Sequence, residues 1–293
     1  MSRSTMFKNY DELDFTDDFM FGKIMEDKEL CREVLECLLQ KPVGELTEVQ
    51  TQREFKYVSD GKPIRLDVYN EGSDKRVYDA EMQNLNHKSI ESLQLPKRSR
   101  FYQSSIDVDY MDKTAEYSTL PESNVMFICT FDPFQKDLYK YTFKERCEED
   151  SSLYLNDGTS KIFYNCTYKG EDIPKNLREL YDYIEGKQAN NDLTQKINDA
   201  VNKARKNEKW RSEFMKERII LQDARAEGRE EGREEGREEG RVEGIAEGGD
   251  IRDAERIEAM LRRGKTVKQI VDFCGYTYEQ VKEVENSLLK TSV

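Results

Sequence analysis

Three strand-like segments follow one another between Leu46 and Gln83, and this run constrains the fold more than any other feature of the chain. Leu46 to Arg53, Ile64 to Asn70 and Arg76 to Gln83 carry the strand pattern, and Asp60-Gly61 and Gly72-Ser73-Asp74 supply turns between them. Strands joined in this way form a meander. Ahead of it, Phe19, Met20, Ile24, Leu30, Val34 and Leu38 recur at helical spacing from Thr16 to Leu39, with Asp27 as an interruption. Behind it, Ser89 to Asp112 reads as one long helix with a break or fresh start near Pro96. Val125 to Phe131 is a nearly continuous apolar run suited to the middle of a sheet. The order α, β, β, β, α, β predicts an α/β core. Lys140 to Cys147 and Lys161 to Thr167 add two strands, and Pro174 to Tyr183 adds a helix that closes the domain.

Composition changes sharply beyond this core. A charged fraction of 37% against an apolar fraction of 36% places a sizeable stretch of the 293 residues outside any packed interior, and Asn198 to Glu258 is that stretch. Around its start, Leu193, Ile197, Val201, Trp210, Phe214, Ile219 and Leu221 form a single apolar edge on a charged background. A G-R-E-E repeat follows, with Gly228, Gly232, Gly236, Gly240, Gly244 and Gly248 four apart. Pairs such as Glu230 with Arg233 support helix weakly, whereas each interior glycine costs about 0.8–1 kcal/mol relative to alanine. Such a helix is marginal alone. It is either a charged spacer or a close-packing stripe that makes a homodimer through the C-terminal helical region. From Ile251 to Leu289 helical periodicity returns around Gly264 and Gly275-Tyr276-Thr277, as in a small helix-turn-helix unit. The expected organisation is residues 1–190 as the core domain, 191–250 as a charged helical linker and 251–293 as a small helical module.

The net charge of −13 argues against general polyanion binding, because non-specific affinity for nucleic acid comes mainly from Lys and Arg on phosphates. A local cationic groove remains compatible with it. The six cysteines show no C-x-x-C pairing and no secretory signal opens the chain, so reduced thiols in a cytoplasmic protein are expected. With His87 as the single histidine, a Cys/His zinc site is disfavoured. No apolar run approaches the roughly 20 residues that span a bilayer, so no membrane partner is expected.

A hairpin centred on Asp74 sets Asp67 opposite Glu81, while a loop centred one residue to either side breaks that pairing. Opposed residues lie about 4.5–5.5 Å apart at Cα, close enough for two carboxylates to repel and to suit a hard divalent cation that takes oxygen ligands. Glu81 and Gln83 are two apart on a strand and share a face, with Met82 on the other. A cation held by carboxylates supplies a nucleophilic water and charge neutralisation for phosphodiester hydrolysis. Gln83 is neither acid nor base there, but its amide can orient the water or hold the phosphate.

Ile64 to Val68 (I-R-L-D-V) followed by Val77 to Gln83 (V-Y-D-A-E-M-Q) resembles the D…E-x-Q version of the PD-(D/E)XK nuclease motif, in particular that of the bacterial Rpn (recombination-promoting nuclease) and transposase family. Asp17 to Phe21, Leu95 to Gln103 and Phe127 to Phe134 add similar stretches, so the resemblance covers roughly residues 10 to 185. It implies a restriction-endonuclease-like αβββαβ core with a C-terminal helical extension. It also implies Mg²⁺-dependent cleavage of DNA, with Mn²⁺ as a substitute, linked to recombination or mobile elements. Asp67 and Glu81 match the metal carboxylates, Asp18 on the first helix matches an acidic position that completes the metal shell, and Gln83 stands where the superfamily usually has Lys. That departure removes a cation from the transition state. Lys97, Arg98 and Arg100 fall on the helix beside the site, from which basic side chains contact phosphates.

Each residue also has a plainer reading: Asp67 paired with Arg65 or Lys56, Glu81 with Arg76 or Lys88, Lys97, Arg98 and Arg100 on a solvated helix face, Tyr102 packed in the core, and His87 in an exposed loop. Lys203, Arg205, Lys206, Lys209 and Arg211 are either DNA contacts or a solvated face. Beside the endonuclease stand two other functions. One is a DNA-binding or assembly protein that has lost turnover; the other is a nuclease-type toxin or phage-defence component.

Overall fold

The computed structural model describes residues 8–55, 64–73, 75–85, 90–114 and 116–291. It divides into two compact units, residues 1–214 and 215–293. In the first unit, α1 (Asp18–Met25) and α2 (Lys28–Leu39) precede β1 (Leu46–Phe55), β2 (Ile64–Gly72) and β3 (Arg76–Gln83). Then come α3 (Leu95–Thr114), β4 (Glu122–Cys129), β5 (Lys140–Phe143), β6 (Thr159–Asn165), α4 (Lys175–Ile184) and α5 (Asp192–Arg205). The strands form one six-stranded mixed sheet in the order β1-β2-β3-β4-β6-β5. β1, β2 and β3 are antiparallel neighbours, whereas β4 runs parallel to both β3 and β6. The expected α/β order is present.

Asp27 interrupts the first helical segment by capping the second: its carboxylate accepts from the backbone of Glu29 and Leu30, which satisfies two orphan donors of α2. Leu30, Cys31, Val34, Leu35 and Leu38 then line one helix face and are buried. Burying a side chain of this size stabilises by about 1.5–3 kcal/mol. These residues share a core with α1, α4, α5 and the sheet residues Val68, Tyr78, Ala80 and Met82. A second core, containing Val77, Leu95, Tyr102, Ile106, Phe127 and Phe163, joins the opposite sheet face to α3. Pro96 therefore sits at a fresh start: a short turn of helix at Glu91–Leu93 ends before α3 begins.

The long helix α6 (Glu208–Arg262) carries Trp210 and Phe214 against the first core and continues into the second unit. The G-R-E-E repeat is helical within it, and the space around its glycines is open. In the second unit, Ile257 of α6, Ile270 of α7 (Val267–Cys274) and Val281 of α8 (Tyr278–Thr291) form a small core of their own. All six cysteines are free. Among the described residues no helix is long and apolar enough to cross a membrane.

Candidate active site

The β2–β3 register pairs Val68 with Ala80, Tyr69 with Asp79, Asn70 with Tyr78 and Glu71 with Val77, which is the register of a hairpin centred on Asp74. The described pairing stops at Val68 and Ala80. One step further, carboxylates take the hydrogen bonds that a ladder would have made. The Asp67 backbone N–H donates to Glu81 Oε1 at 2.8 Å, and the Met82 N–H donates to Asp67 Oδ2 at 3.3 Å. β3 itself continues beside β4 as far as Gln83 and Cys129. The two acids therefore meet where β2 parts from a strand still held on its other side.

Alternation along β3 puts Asp79, Glu81 and Gln83 on the face under α3, while Tyr78, Ala80 and Met82 enter the opposite core. Asp79 and Glu81 are 0% and 1% exposed, a costly position for acids. Burial, followed by the neighbouring Asp67 charge, pushes both carboxyls well above the ordinary range. Neither Asp79 oxygen has a hydrogen-bond donor among the described residues, and the Glu81 carboxyl is its close polar neighbour.

The single guanidinium described against this face belongs to Arg98. Its Nη1 donates to Gln83 Oε1 at 2.8 Å and its Nη2 to Glu81 Oε2 at 3.3 Å. Nε and Nη2 also donate to the Tyr102 hydroxyl, at 3.2 and 2.8 Å. The guanidinium carbon lies 5.4 Å from the Tyr102 ring centroid and 5.6 Å from that of Phe127. Tyr102 is thus packed in the core, as its plainer reading has it, and also anchors Arg98. Lys97 and Arg100 are exposed on α3.

Glu81 is not paired with Arg76, whose Nε instead donates to Glu122 at 2.7 Å. Lys56, His87 and Lys88 lie outside the described residues. Asp18 opens α1 and is exposed. Two residues before it, the Thr16 carbonyl accepts from Asn84 Nδ2 at 2.6 Å, which ties the approach to α1 to the end of β3. Of the basic cluster near α5, Arg205 donates to the Leu13 carbonyl and Arg211 pairs with Asp11 at 2.6 Å. Those two arginines tie the end of α5 and the start of α6 to the segment ahead of α1.

The residues fit a hard divalent cation in donor chemistry. Carboxylates and an amide offer oxygen, and the Asp79 oxygens, buried beside Glu81, have no described donor. Among the described residues no three acid, His or Cys side chains already converge as a cage.

The first unit is a mixed α/β domain with a central mixed sheet, and its acids gather where β2 parts from β3 beneath α3. Residues 12–166, just over half the chain, match the family described as PD-(D/E)XK nuclease family transposase, and the chain belongs to that family. No curated protein and no solved structure matches it. Sequence reasoning identified Asp67, Glu81 and Gln83, and the structure brings all three together with Arg98. It missed Asp79, although the alternation that placed Glu81 and Gln83 on one face was a signal for Asp79 as well.

Proposed function

We propose that this chain is a Mg²⁺-dependent DNA endonuclease, with Mn²⁺ able to substitute, acting in recombination or on mobile elements. The observation that supports it most is the interlocked Asp67–Glu81 pair at the parting of β2 and β3. Asp67 and Glu81 hold the ion, and Asp18 completes the shell from the start of α1. A bound dication supplies a water of lowered pKa and offsets charge on the phosphate. With Gln83 Oε1 held by Arg98, the Gln83 amide hydrogens are the ones that orient that water or a phosphate oxygen. Lys97, Arg98 and Arg100 position the duplex through its phosphates. The C-terminal helical region brings two copies together.

The test is incubation of supercoiled plasmid with the wild-type chain, Asp67→Ala and Glu81→Ala in Mg²⁺. Nicking by the wild type alone is expected; equal nicking by all three, or by none in either Mg²⁺ or Mn²⁺, sinks the assignment. Gln83, an amide where the motif usually has a cation, favours a second reading, a DNA-binding protein without turnover. That reading predicts duplex binding and no nicking. Sedimentation of the full chain against one ending at Phe214 tests the dimer: the same monomeric mass for both removes it.

A further inference from the structure

Hydrolysis of a phosphodiester builds negative charge on the non-bridging oxygens of the reacting phosphorus, and a fixed cation beside it lowers the barrier. Gln83 carries no charge. The residue that grips Gln83 does. Arg98 reaches Gln83 and Glu81 with separate nitrogens, rests on two aromatic rings, and is held at Nε and Nη2 by the Tyr102 hydroxyl. A guanidinium has five N–H donors, and the four hydrogen bonds described leave one on Nη1 for a further acceptor. The side chain is 32% exposed, so an anion from solvent can reach it. Lys97 and Arg100 differ from it in having no described tie to the acidic strand.

We propose that Arg98 is the catalytic cation of this site, contacting the scissile phosphate itself and doing from helix α3 what a lysine at position 83 would do from the strand. This rests on the phosphodiesterase reading above. In the step it serves, the water oxygen forms the new bond to phosphorus. The attacking water gives up a proton to solvent, the bond to the leaving oxygen breaks with its electron pair, and that oxygen takes a proton from solvent. Arg98 keeps its protons throughout and donates a charge-assisted hydrogen bond to a non-bridging oxygen. Its ties to Gln83 and Tyr102 fix it before substrate arrives, so little reorganisation is spent at the moment of reaction.

The experiment compares the full-length wild type with R98A, R98K, Q83K and the double variant Q83K/R98A. It measures plasmid nicking in Mg²⁺, affinity for a short DNA duplex in Ca²⁺, and the thermal midpoint. R98A is expected to slow nicking by about 100-fold or more. Q83K/R98A is expected to recover at least about tenfold of that loss, because the charge returns from the neighbouring position. R98K, which keeps the charge and loses the fork, falls between wild type and R98A.

R98A nicking at the wild-type rate overturns the proposal, and so does a loss that Q83K leaves untouched. If R98A has a lowered midpoint, R98K and Q83K/R98A carry the decision. If the wild type itself does not nick, the nuclease reading falls and the duplex affinity decides on Arg98. A loss in R98A that Q83K reverses supports the phosphate-facing cation, and unchanged affinity overturns it.

Discussion

Strand β3 has two faces that differ in kind. Tyr78, Ala80 and Met82 enter an apolar core with α1, α2 and α4, whereas Asp79, Glu81 and Gln83 lie buried beneath α3 with, among the described residues, one guanidinium to answer two carboxylates. The first face lowers the free energy of the fold. The second raises it, because buried acids without enough donors are destabilising. A strand that spends one face in this way separates the residues that hold the structure from those that await a charge. Substitutions on the two faces should therefore move stability in opposite directions, and only one face should move chemistry.

The largest effect is expected from Glu81→Gln. Losing a metal carboxylate should cut nicking by on the order of 1000-fold, the several kcal/mol that a bound ion contributes to such reactions. The metal-free midpoint should stay level or rise. A fall in midpoint comparable to that of a core variant would break the comparison. Met82→Ala, on the opposite face, should cost about 2–5 kcal/mol in denaturant unfolding. Below its lowered midpoint it should keep its nicking rate.

Asp79→Asn sharpens the contrast through pH. A carboxyl raised in the folded state contributes stability below its unfolded value of about 4 and loses it as pH rises through the folded value. Asp79 and Glu81 are both raised, first by burial and then by Asp67. Metal-free Asp79→Asn should therefore be more stable than wild type by about 1–2 kcal/mol at neutral pH, with the gain shrinking as pH falls into the carboxylate range. Urea midpoints across pH read this out, and a gain that is constant with pH would contradict it. The smallest effect belongs to a surface that packs on nothing described. Gly236→Ala in α6 has open space around the new methyl and should stabilise the helix by about 1 kcal/mol, seen as a higher melting temperature by circular dichroism.

Much of this arrangement was legible in the residues. Turn residues at Gly72-Ser73-Asp74 placed a hairpin without fixing its centre to the residue, and period-two alternation gave the β3 side chains that share a face; the observed β2–β3 register is the one that sets Asp67 toward Glu81. Asp27 was visible as an interruption, and its role as a cap needed the backbone donors of Glu29 and Leu30. The site's cation was harder to find. Lys97, Arg98 and Arg100 are near-equivalent in sequence, and only the rotation of α3, set by packing of Leu95, Tyr102 and Ile106 on the sheet, selects Arg98 to face inward. Asp79 passed as an ordinary strand residue because its burial depends on α3 crossing above it. The glycine repeat was judged from per-residue helix cost, yet α6 runs unbroken through it, flanked by segments packed at both ends.

The most direct test of the acidic face is calorimetric titration of Mn²⁺ into metal-free protein, comparing wild type with the isosteric variants Asp67→Asn and Glu81→Gln. Saturable uptake by the wild type is expected, weakened by at least about 100-fold in each variant while their folded spectra are retained. Equal affinity in all three, or no uptake by the wild type, would contradict it.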